Sequence, residues 1–263
     1  MKSRYLKEFI EEIKYRNRNP QNLKALELLN DKLTNSEIII EPNEIFYRAR
    51  LVSNENEIGK ENGFYGYGAQ ESFVPPVNKT RDFRANYRYI PYLYCANHPY
   101  VALAEVRPRL GDKVSIATIS ATESLSLLDF TIQSKPAKMS ESKKNLFEDV
   151  SELFAMPLTS GDDTIDYIPT QFIAEYAKHM GYDGIAFSSS ATPEFHLYNP
   201  NRYNVVIFNY RKCQAVKSNV VRITGTHIES EQIDADSDQL DMKNFIDDAF
   251  EEIHLHAQAL INA

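Results

Sequence analysis

The sequence predicts an α+β fold in which short strands are separated by only a few helices. Short apolar runs typical of strands recur along the chain, and apolar residues at helical spacing occur in a few of the segments between them. The strict alternation of strands and helices that marks a doubly wound sheet is absent. The segment Gly66-Tyr-Gly68-Ala-Gln-Glu71 lacks the third glycine of a dinucleotide-binding fingerprint and precedes no helix, so a Rossmann interpretation fails.

Residues 1–40 are predicted to form an N-terminal helical extension. Apolar residues recur at helical spacing across residues 4–33 and are interrupted at Asn19-Pro20, which indicates two amphipathic helices. Strands are then expected at residues 38–40 and 46–50, because both runs are short and apolar.

Residues 52–80 are rich in glycine and proline and show no clear period, so they are predicted to form a long loop. Loops of that length in compact domains are usually functional or mobile. A buried strand is expected at residues 91–96. Asn97 is then predicted to cap a helix that has Pro99 in its first turn and that ends before Pro108.

The second half of the chain is predicted to continue this mixture of elements. The expected strands cover residues 114–119, 126–130, 185–187 and 205–208, and the expected helices lie near residues 143–154, 172–180 and 242–261. The second of these helices should stop at Gly181. A central domain is expected at residues 41–215, followed by an acidic segment and a C-terminal helix at residues 216–263.

Length and composition indicate an ordinary globular protein. A chain of 263 residues can bury a substantial core, and 43% hydrophobic with 25% charged residues are typical values. No run approaches the ~18 apolar residues of a membrane span, and the first residues lack the apolar core of a secretory signal. The two cysteines, Cys95 and Cys213, are expected to be buried thiols and fit a cytoplasmic protein.

The net charge of −8 is unevenly distributed. Residues 229–252 contain ten acidic residues and one lysine, which leaves the rest of the chain near neutral. A nucleic-acid-binding surface would need a broad basic field, so direct binding of nucleic acid is not expected. A small anion site remains open, because arginines gather in one region: Arg81, Arg84, Arg88, Arg107 and Arg109.

Three polar residues stand in contexts that suit a functional site. Arg48 lies in a predicted strand, Glu105 lies in a short apolar helix, and Ser189 directly follows a predicted strand. A guanidinium can bind phosphate oxygens through two parallel hydrogen bonds, and a carboxylate can stabilise a developing positive charge. An arginine, a carboxylate and a hydroxyl on separate elements are what binding and cleaving a phosphorylated ribose would need.

Several segments between about residues 45 and 208 resemble the RES domain, a family named for its Arg, Glu and Ser. They occur in the family's order: Val74-Pro-Pro76, Phe83-Arg-Ala-Asn86, Ile90-Pro-Tyr-Leu-Tyr94, Ala102-Leu-Ala-Glu-Val-Arg-Pro108, Tyr167-Ile-Pro-Thr-Gln-Phe-Ile-Ala-Glu175, Gly181-Tyr-Asp-Gly-Ile-Ala-Phe187 and Asn204-Val-Val-Ile-Phe208. The resemblance implies a fold related to ADP-ribosyltransferases, with a core of short mixed or antiparallel strands. It also implies an NAD-consuming enzyme, and many members of the family are toxins of bacterial toxin–antitoxin pairs.

The resemblance also assigns roles to residues. It implies that Arg48 binds phosphate or ribose of the substrate, that Glu105 acts on the ribose hydroxyls and the oxocarbenium charge, and that Ser189 hydrogen-bonds the substrate. Further contacts with NAD are expected from four residues near the ligand: Tyr47, Arg84, Asn86 and Tyr94.

Alternatives stay open beside these assignments. Arg50 projects from the same face of the strand as Arg48, and Ser188 and Ser190 flank Ser189. Without the resemblance, the arginine would be interpreted as a surface ion pair and the triple serine as a polar turn. Glu105 would be interpreted as the partner of an arginine at the helix end, and most of the sixteen tyrosines as packing residues.

The implied reaction is cleavage of the nicotinamide–ribose bond of NAD by a glycohydrolase or phosphorylase, with NAD as substrate and no catalytic cofactor. The six histidines show no ligand spacing, so no metal is expected. An ADP-ribosyltransferase with a protein target and a non-catalytic NAD-binding module are the alternative functions. By resemblance, the protein would be a toxin that depletes NAD and would bind an antitoxin of the helix-turn-helix type. The acidic segment at residues 229–252 and the last helix lie outside the resemblance, and they could form a homodimerisation element, a partner-binding arm or a self-restraining cover.

Overall fold

Eight strands form one mixed sheet within the residues that the structure describes. The structure is a computed structural model, and it describes residues 4–20, 24–27, 37–59, 62–131, 141–156, 164–189, 191 and 202–225. The chain divides into two units, Met1–Thr224 and Gly225–Ala263. The predicted helix at residues 242–261 and the acidic segment before it lie outside the described residues.

The strands are numbered in chain order: β1 (Glu37–Ile40), β2 (Ile45–Leu51), β3 (Leu93–Ala96), β4 (Lys113–Ala121), β5 (Leu125–Phe130), β6 (Gly184–Ser188), β7 (Tyr203–Ile207) and β8 (Cys213–Arg222). Their order in the sheet is β1-β5-β6-β7-β3-β2-β4-β8. The β5–β6 pair is parallel, and the other neighbouring pairs are antiparallel. The helices used below are α1 (Arg4–Tyr15), α2 (Pro99–Glu105), α3 (Glu141–Ala155) and α4 (Ile168–His179). The predicted α+β class is confirmed.

The sheet separates two hydrophobic clusters. Because side chains alternate along a strand, Leu128 and Phe130 of β5 belong to one cluster and Leu127 to the other. The first cluster is covered by helices α1, α3 and α4. Helix α1 contributes Leu6, Phe9 and Ile13, whose spacing places them on one face of the helix.

Helix α4 ends where the sequence predicts. Its last residue is His179, and Gly181 follows with φ of +95°, a left-handed conformation that glycine adopts without a steric penalty. The strands at residues 38–40, 46–50, 114–119 and 126–130 are likewise present, each longer than predicted by one to three residues.

The predicted N-cap of α2 is wrong by one residue. His98 is the cap, and its Nδ1 accepts a hydrogen bond from the backbone N–H of Tyr100 at 3.2 Å. Asn97 instead joins two strands, because its Oδ1 accepts from the backbone N–H of Tyr203 at 2.9 Å. The backbone N–H of Asn97 donates in turn to the carbonyl of Tyr203 at 3.1 Å. Asn97 therefore makes a long-range contact with Tyr203 in place of the predicted cap, and His98 caps the helix.

Strand β8 was not predicted. It pairs with β4 along its whole length at one edge of the sheet, with an irregularity in register between Thr118 and Ile119. The sheet thus continues past residue 215, where the central domain was expected to end.

The two cysteines are free and buried, as predicted. Burial raises the pKa of both thiols, that of Cys213 to about 12, so both stay protonated at neutral pH. None of the helices in the described residues is both long enough and apolar enough to cross a membrane.

Candidate active site

A cavity of about 440 Å³ opens where strands β2 and β3 separate. Among the described residues, the two strands pair at one position, where Tyr47 lies opposite Ala96. Next to that pair, Arg48 and Ala49 of β2 and Tyr94 and Cys95 of β3 line the cavity instead of pairing with each other. Cavities of a few hundred Å³ accommodate small ligands and cofactors. The interruption of the sheet therefore creates a pocket with polar side chains on its walls.

Three elements meet at the carboxylate of Glu105, which also lines this cavity. Ser189, directly after β6, donates from Oγ to Glu105 Oε1 at 2.6 Å. Asn204, near the start of β7, donates from Nδ2 to the same oxygen at 2.6 Å. Oε2 has no hydrogen-bond partner among the described residues. The structure thus fixes one oxygen of the carboxylate and leaves the other available to a ligand.

The position of Glu105 follows from the sequence around it. Pro108 cannot continue a helix, so α2 ends at Glu105 and turns away through Arg107, whose φ is +44°. A carboxylate at a helix C-terminus is destabilised by the helix dipole, typically by about 0.3–1 kcal/mol. The two hydrogen bonds from Ser189 and Asn204 offset that effect.

The structure separates the two arginines of β2. Arg48 is half-buried and lines the cavity, and its Nη1 lies 3.5 Å from the carbonyl oxygen of Ser72, the outer limit of a hydrogen bond. Arg50 is exposed and does not line the cavity. Its Nη1 donates to the carbonyl of Glu71, and its guanidinium lies 4.8 Å from the centre of the Tyr67 ring.

The electrostatics of Arg48 are unusual for a strand arginine. Within the part of the chain that the structure describes, no carboxylate forms an ion pair with it. Burial is the main cause that lowers its pKa from 12.5 to about 10, and the nearby charge of Arg50 acts in the same direction. The guanidinium stays charged at neutral pH and lacks a neutralising acid among the described residues, which suits a site for an anionic ligand. The interpretation as a surface ion pair does not fit this environment.

The other expected ligand contacts, Tyr47, Arg84, Asn86 and Tyr94, all line the cavity. Asn86 donates to the carbonyls of Arg81 and Tyr87 at 2.9 and 3.0 Å, and its Oδ1 accepts from Tyr94 Oη at 2.7 Å. These bonds hold the turn that contains Asn86 against β3. The polar groups of Asn86 and the hydroxyl of Tyr94 therefore already form hydrogen bonds within the wall of the cavity.

Arg84 also forms hydrogen bonds that stabilise the structure around the cavity. Its Nη1 donates to the carbonyl of Leu153 and its Nη2 to the carbonyl of Met156, at the C-terminal end of α3. A positive charge at this end of a helix is favourable, and the last carbonyls gain hydrogen-bond donors. Gln171 of α4 stabilises the turn that contains Arg84 and Asn86, because its Nε2 donates to the carbonyls of Phe83 and Asn86 at 2.9 Å each. The proposed contact of Arg84 with substrate phosphate stays a prediction.

The alternatives around Ser189 are partly distinguished by position. Ser189 contacts Glu105, Ser188 lines the cavity, and Ser190 lies outside the described residues. Asn204 was missed as a site residue. The signal that could have identified it is a polar residue at the head of the apolar run Asn204-Val-Val-Ile-Phe208, since burying a polar side chain there requires a partner.

Comparisons with known proteins bear on this site. The family model described as RES domain matches residues 61–232, nearly two-thirds of the chain. Glu105, Ser189 and Asn204 fall inside the match, whereas Tyr47 and Arg48 precede it. A chain of the crystal structure of the M. tuberculosis MbcT–MbcA toxin–antitoxin complex is similar at a TM-score of 0.42 and 14% identity, over 75% of this chain and 93% of that chain. No curated protein sequence matches the chain. From the match to the family model, the chain belongs to the RES domain family.

Proposed function

We propose that the protein binds NAD in the cavity between β2 and β3 and cleaves the bond between nicotinamide and ribose. The observation that carries the proposal is the arrangement of Glu105. Its carboxylate is oriented by Ser189 and Asn204 and lines the same cavity as Arg48, a half-buried cation without an acidic partner among the described residues. Membership of a family whose members consume NAD agrees with this arrangement.

Cleavage of this bond requires little from the protein beyond positioning the substrate and stabilising the charge that develops on the ribose. When the bond between ribose C1′ and the nicotinamide nitrogen breaks, its electron pair goes to the cationic ring, so nicotinamide leaves as a neutral molecule without a general acid. The ribose becomes oxocarbenium-like, as in glycoside hydrolysis. In the proposed mechanism, Glu105 stabilises this positive charge and orients the ribose hydroxyls. Arg48 binds the pyrophosphate or ribose and holds the substrate in place.

Ser189 has a supporting part in this proposal. Its hydroxyl donates to Glu105 Oε1 at 2.6 Å and accepts from the backbone N–H of Ala191 at 3.2 Å. A nucleophilic serine would need a general base that removes its proton, and in the proposed mechanism Glu105 instead stabilises the charge on the ribose. We propose that Ser189 orients Glu105 and contacts substrate, and that water or inorganic phosphate accepts the ADP-ribosyl group.

We further propose that this activity makes the protein a bacterial toxin that depletes NAD in the cytoplasm. A toxin of this kind requires a restraining partner, and an antitoxin of the helix-turn-helix type is the proposed one. The buried free thiols of Cys95 and Cys213 agree with a reducing compartment.

The proposal is tested by incubating the purified protein with NAD, with and without inorganic phosphate, and measuring released nicotinamide. Release without phosphate indicates a glycohydrolase, and a phosphate requirement with ADP-ribose phosphate as product indicates a phosphorylase. A parallel reaction uses NAD labelled in its ADP-ribose part. Label retained on a protein would instead establish an ADP-ribosyltransferase, and binding of NAD without release would establish a binding module.

A further inference from the structure

Asn204 is a buried polar residue on a central strand of the sheet. Only 7% of its surface is exposed, and it lies between Ala96 of β3 and Phe187 of β6 in the register of the sheet. Burying an amide in such surroundings is unfavourable unless it forms hydrogen bonds. Its Nδ2 uses the carboxylate of Glu105 for this purpose.

The bond between Asn204 and Glu105 is not needed to join the elements that carry them. The chain just before α2 and the start of β7 are already joined by two hydrogen bonds between Asn97 and Tyr203, at 2.9 and 3.1 Å. What Asn204 adds is a second donor to Glu105 Oε1, beside Ser189. Two donors on one oxygen restrict rotation of the carboxylate, so that Oε2 keeps one direction relative to the cavity.

We propose that Asn204 is a positioning residue that orients the carboxylate of Glu105 for cleavage of NAD. This inference rests on the proposed function. Asn204 acts through Glu105, which is the group that interacts with the ribose as positive charge develops on it. Loss of the Nδ2–H donor leaves Glu105 in the site with Ser189 as its one remaining donor among the described residues, so the carboxylate is less restricted in rotation. The chemical step should therefore suffer more than the binding of NAD, to which Arg48 contributes from β2.

The test compares three variants of the full chain in the nicotinamide-release assay. Asn204→Asp keeps the size of the side chain and removes the donor, Asn204→Ala removes the side chain beyond Cβ, and Asn209→Ala is the matched control. Asn209 is an exposed asparagine just after β7 that bonds Asp183 at 3.0 Å and does not line the cavity. Thermal unfolding of each variant shows whether it is folded.

A hydrogen bond to a charged group contributes enough free energy that its loss should lower kcat by about 10- to 100-fold in both Asn204 variants. KM for NAD should change by less than about threefold, because the interactions that bind substrate before the reaction are retained. Asn204→Asp should be at least as impaired as Asn204→Ala, since its carboxylate repels that of Glu105. Asn209→Ala should keep the parental kcat. A parental kcat in Asn204→Asp, or a change confined to KM, would overturn the inference.

A second measurement separates this inference from the proposed function. Asn204→Ala is introduced into the parental chain and into Glu105→Ala, and the loss in Tm is compared. Residues in contact are coupled, so the loss should be smaller when Glu105 is already absent, whether or not the protein releases nicotinamide. Equal losses in both backgrounds would refute the contact. Release by the parental protein together with an unaffected Asn204→Asp would refute only the role of Asn204, whereas no release by the parental protein would refute the proposed function.

Discussion

Replacing Arg48 with methionine should make the free protein more stable and weaken its binding of NAD. Burial lowers the pKa of Arg48 from 12.5 to about 10, and each pKa unit corresponds to about 1.4 kcal/mol. After allowance for partial exposure to solvent, the charged guanidinium destabilises the folded state by roughly 2–3 kcal/mol. Methionine has a similar length and no charge, so it fills much of the same space without that unfavourable term.

Binding of NAD should show the opposite effect. A phosphate that accepts charge-assisted hydrogen bonds from Arg48 contributes roughly 1.5–3 kcal/mol, so its loss should weaken binding about 10- to 100-fold. The assay is thermal unfolding with and without NAD, supported by calorimetric titration. Arg48→Met should raise Tm without ligand and reduce the increase in Tm that NAD produces in the parental protein.

Arg50→Met is the matched control for this experiment. It removes the same charge from the same face of β2, but Arg50 is exposed and does not line the cavity. Its affinity for NAD should stay within about twofold of the parental value. Parental affinity for NAD in Arg48→Met, or an equal loss of affinity in Arg50→Met, would refute the role of Arg48 in binding.

Two further predictions concern Ser189 and Gly66. Ser189→Ala removes one of the two donors to Glu105 Oε1 and should lower kcat by about tenfold. Glu123→Ala, in the exposed turn between β4 and β5, is the neutral control. A parental kcat in Ser189→Ala would exclude a role of Ser189 in catalysis. Gly66→Ala would place a Cβ 2.3 Å from Ser115 Oγ and 3.2 Å from the carbonyl oxygen of Asn219. That overpacking should reduce the free energy of unfolding by roughly 1–3 kcal/mol in urea titrations, and an unchanged midpoint would show that the loop relaxes freely.

The elements that the sequence predicted are those whose signals are local. Helix α4 has apolar residues at helical spacing and a glycine at the left-handed position that ends it. Strand β8 lacks such a signal, because polar residues such as Lys217 and Asn219 interrupt its apolar residues and most of its side chains are not buried. Its place is set by pairing with β4 at the edge of the sheet.

The parts of the site that were missed depend on partners far away in the sequence. Asn97 and His98 are both suited to cap α2, and the choice is decided by Tyr203, more than a hundred residues later. The partner of Asn204 is likewise 99 positions away. The cap that Arg84 provides for α3 is 69 positions distant. A single sequence contains no local pattern for such contacts, and the resemblance marked the segment around Asn204 without giving its partner.

The role of Glu105 in cleaving NAD is tested most directly by the rate of nicotinamide release from the parental protein and from Glu105→Gln at saturating NAD. Glutamine preserves the size of the side chain and removes the negative charge that should stabilise the oxocarbenium-like ribose. We expect release by the parental protein, a kcat lower by about 100-fold or more in Glu105→Gln, and NAD binding that is largely retained. A parental rate in Glu105→Gln would contradict the role of this carboxylate, and no release by either protein would contradict the proposed reaction itself.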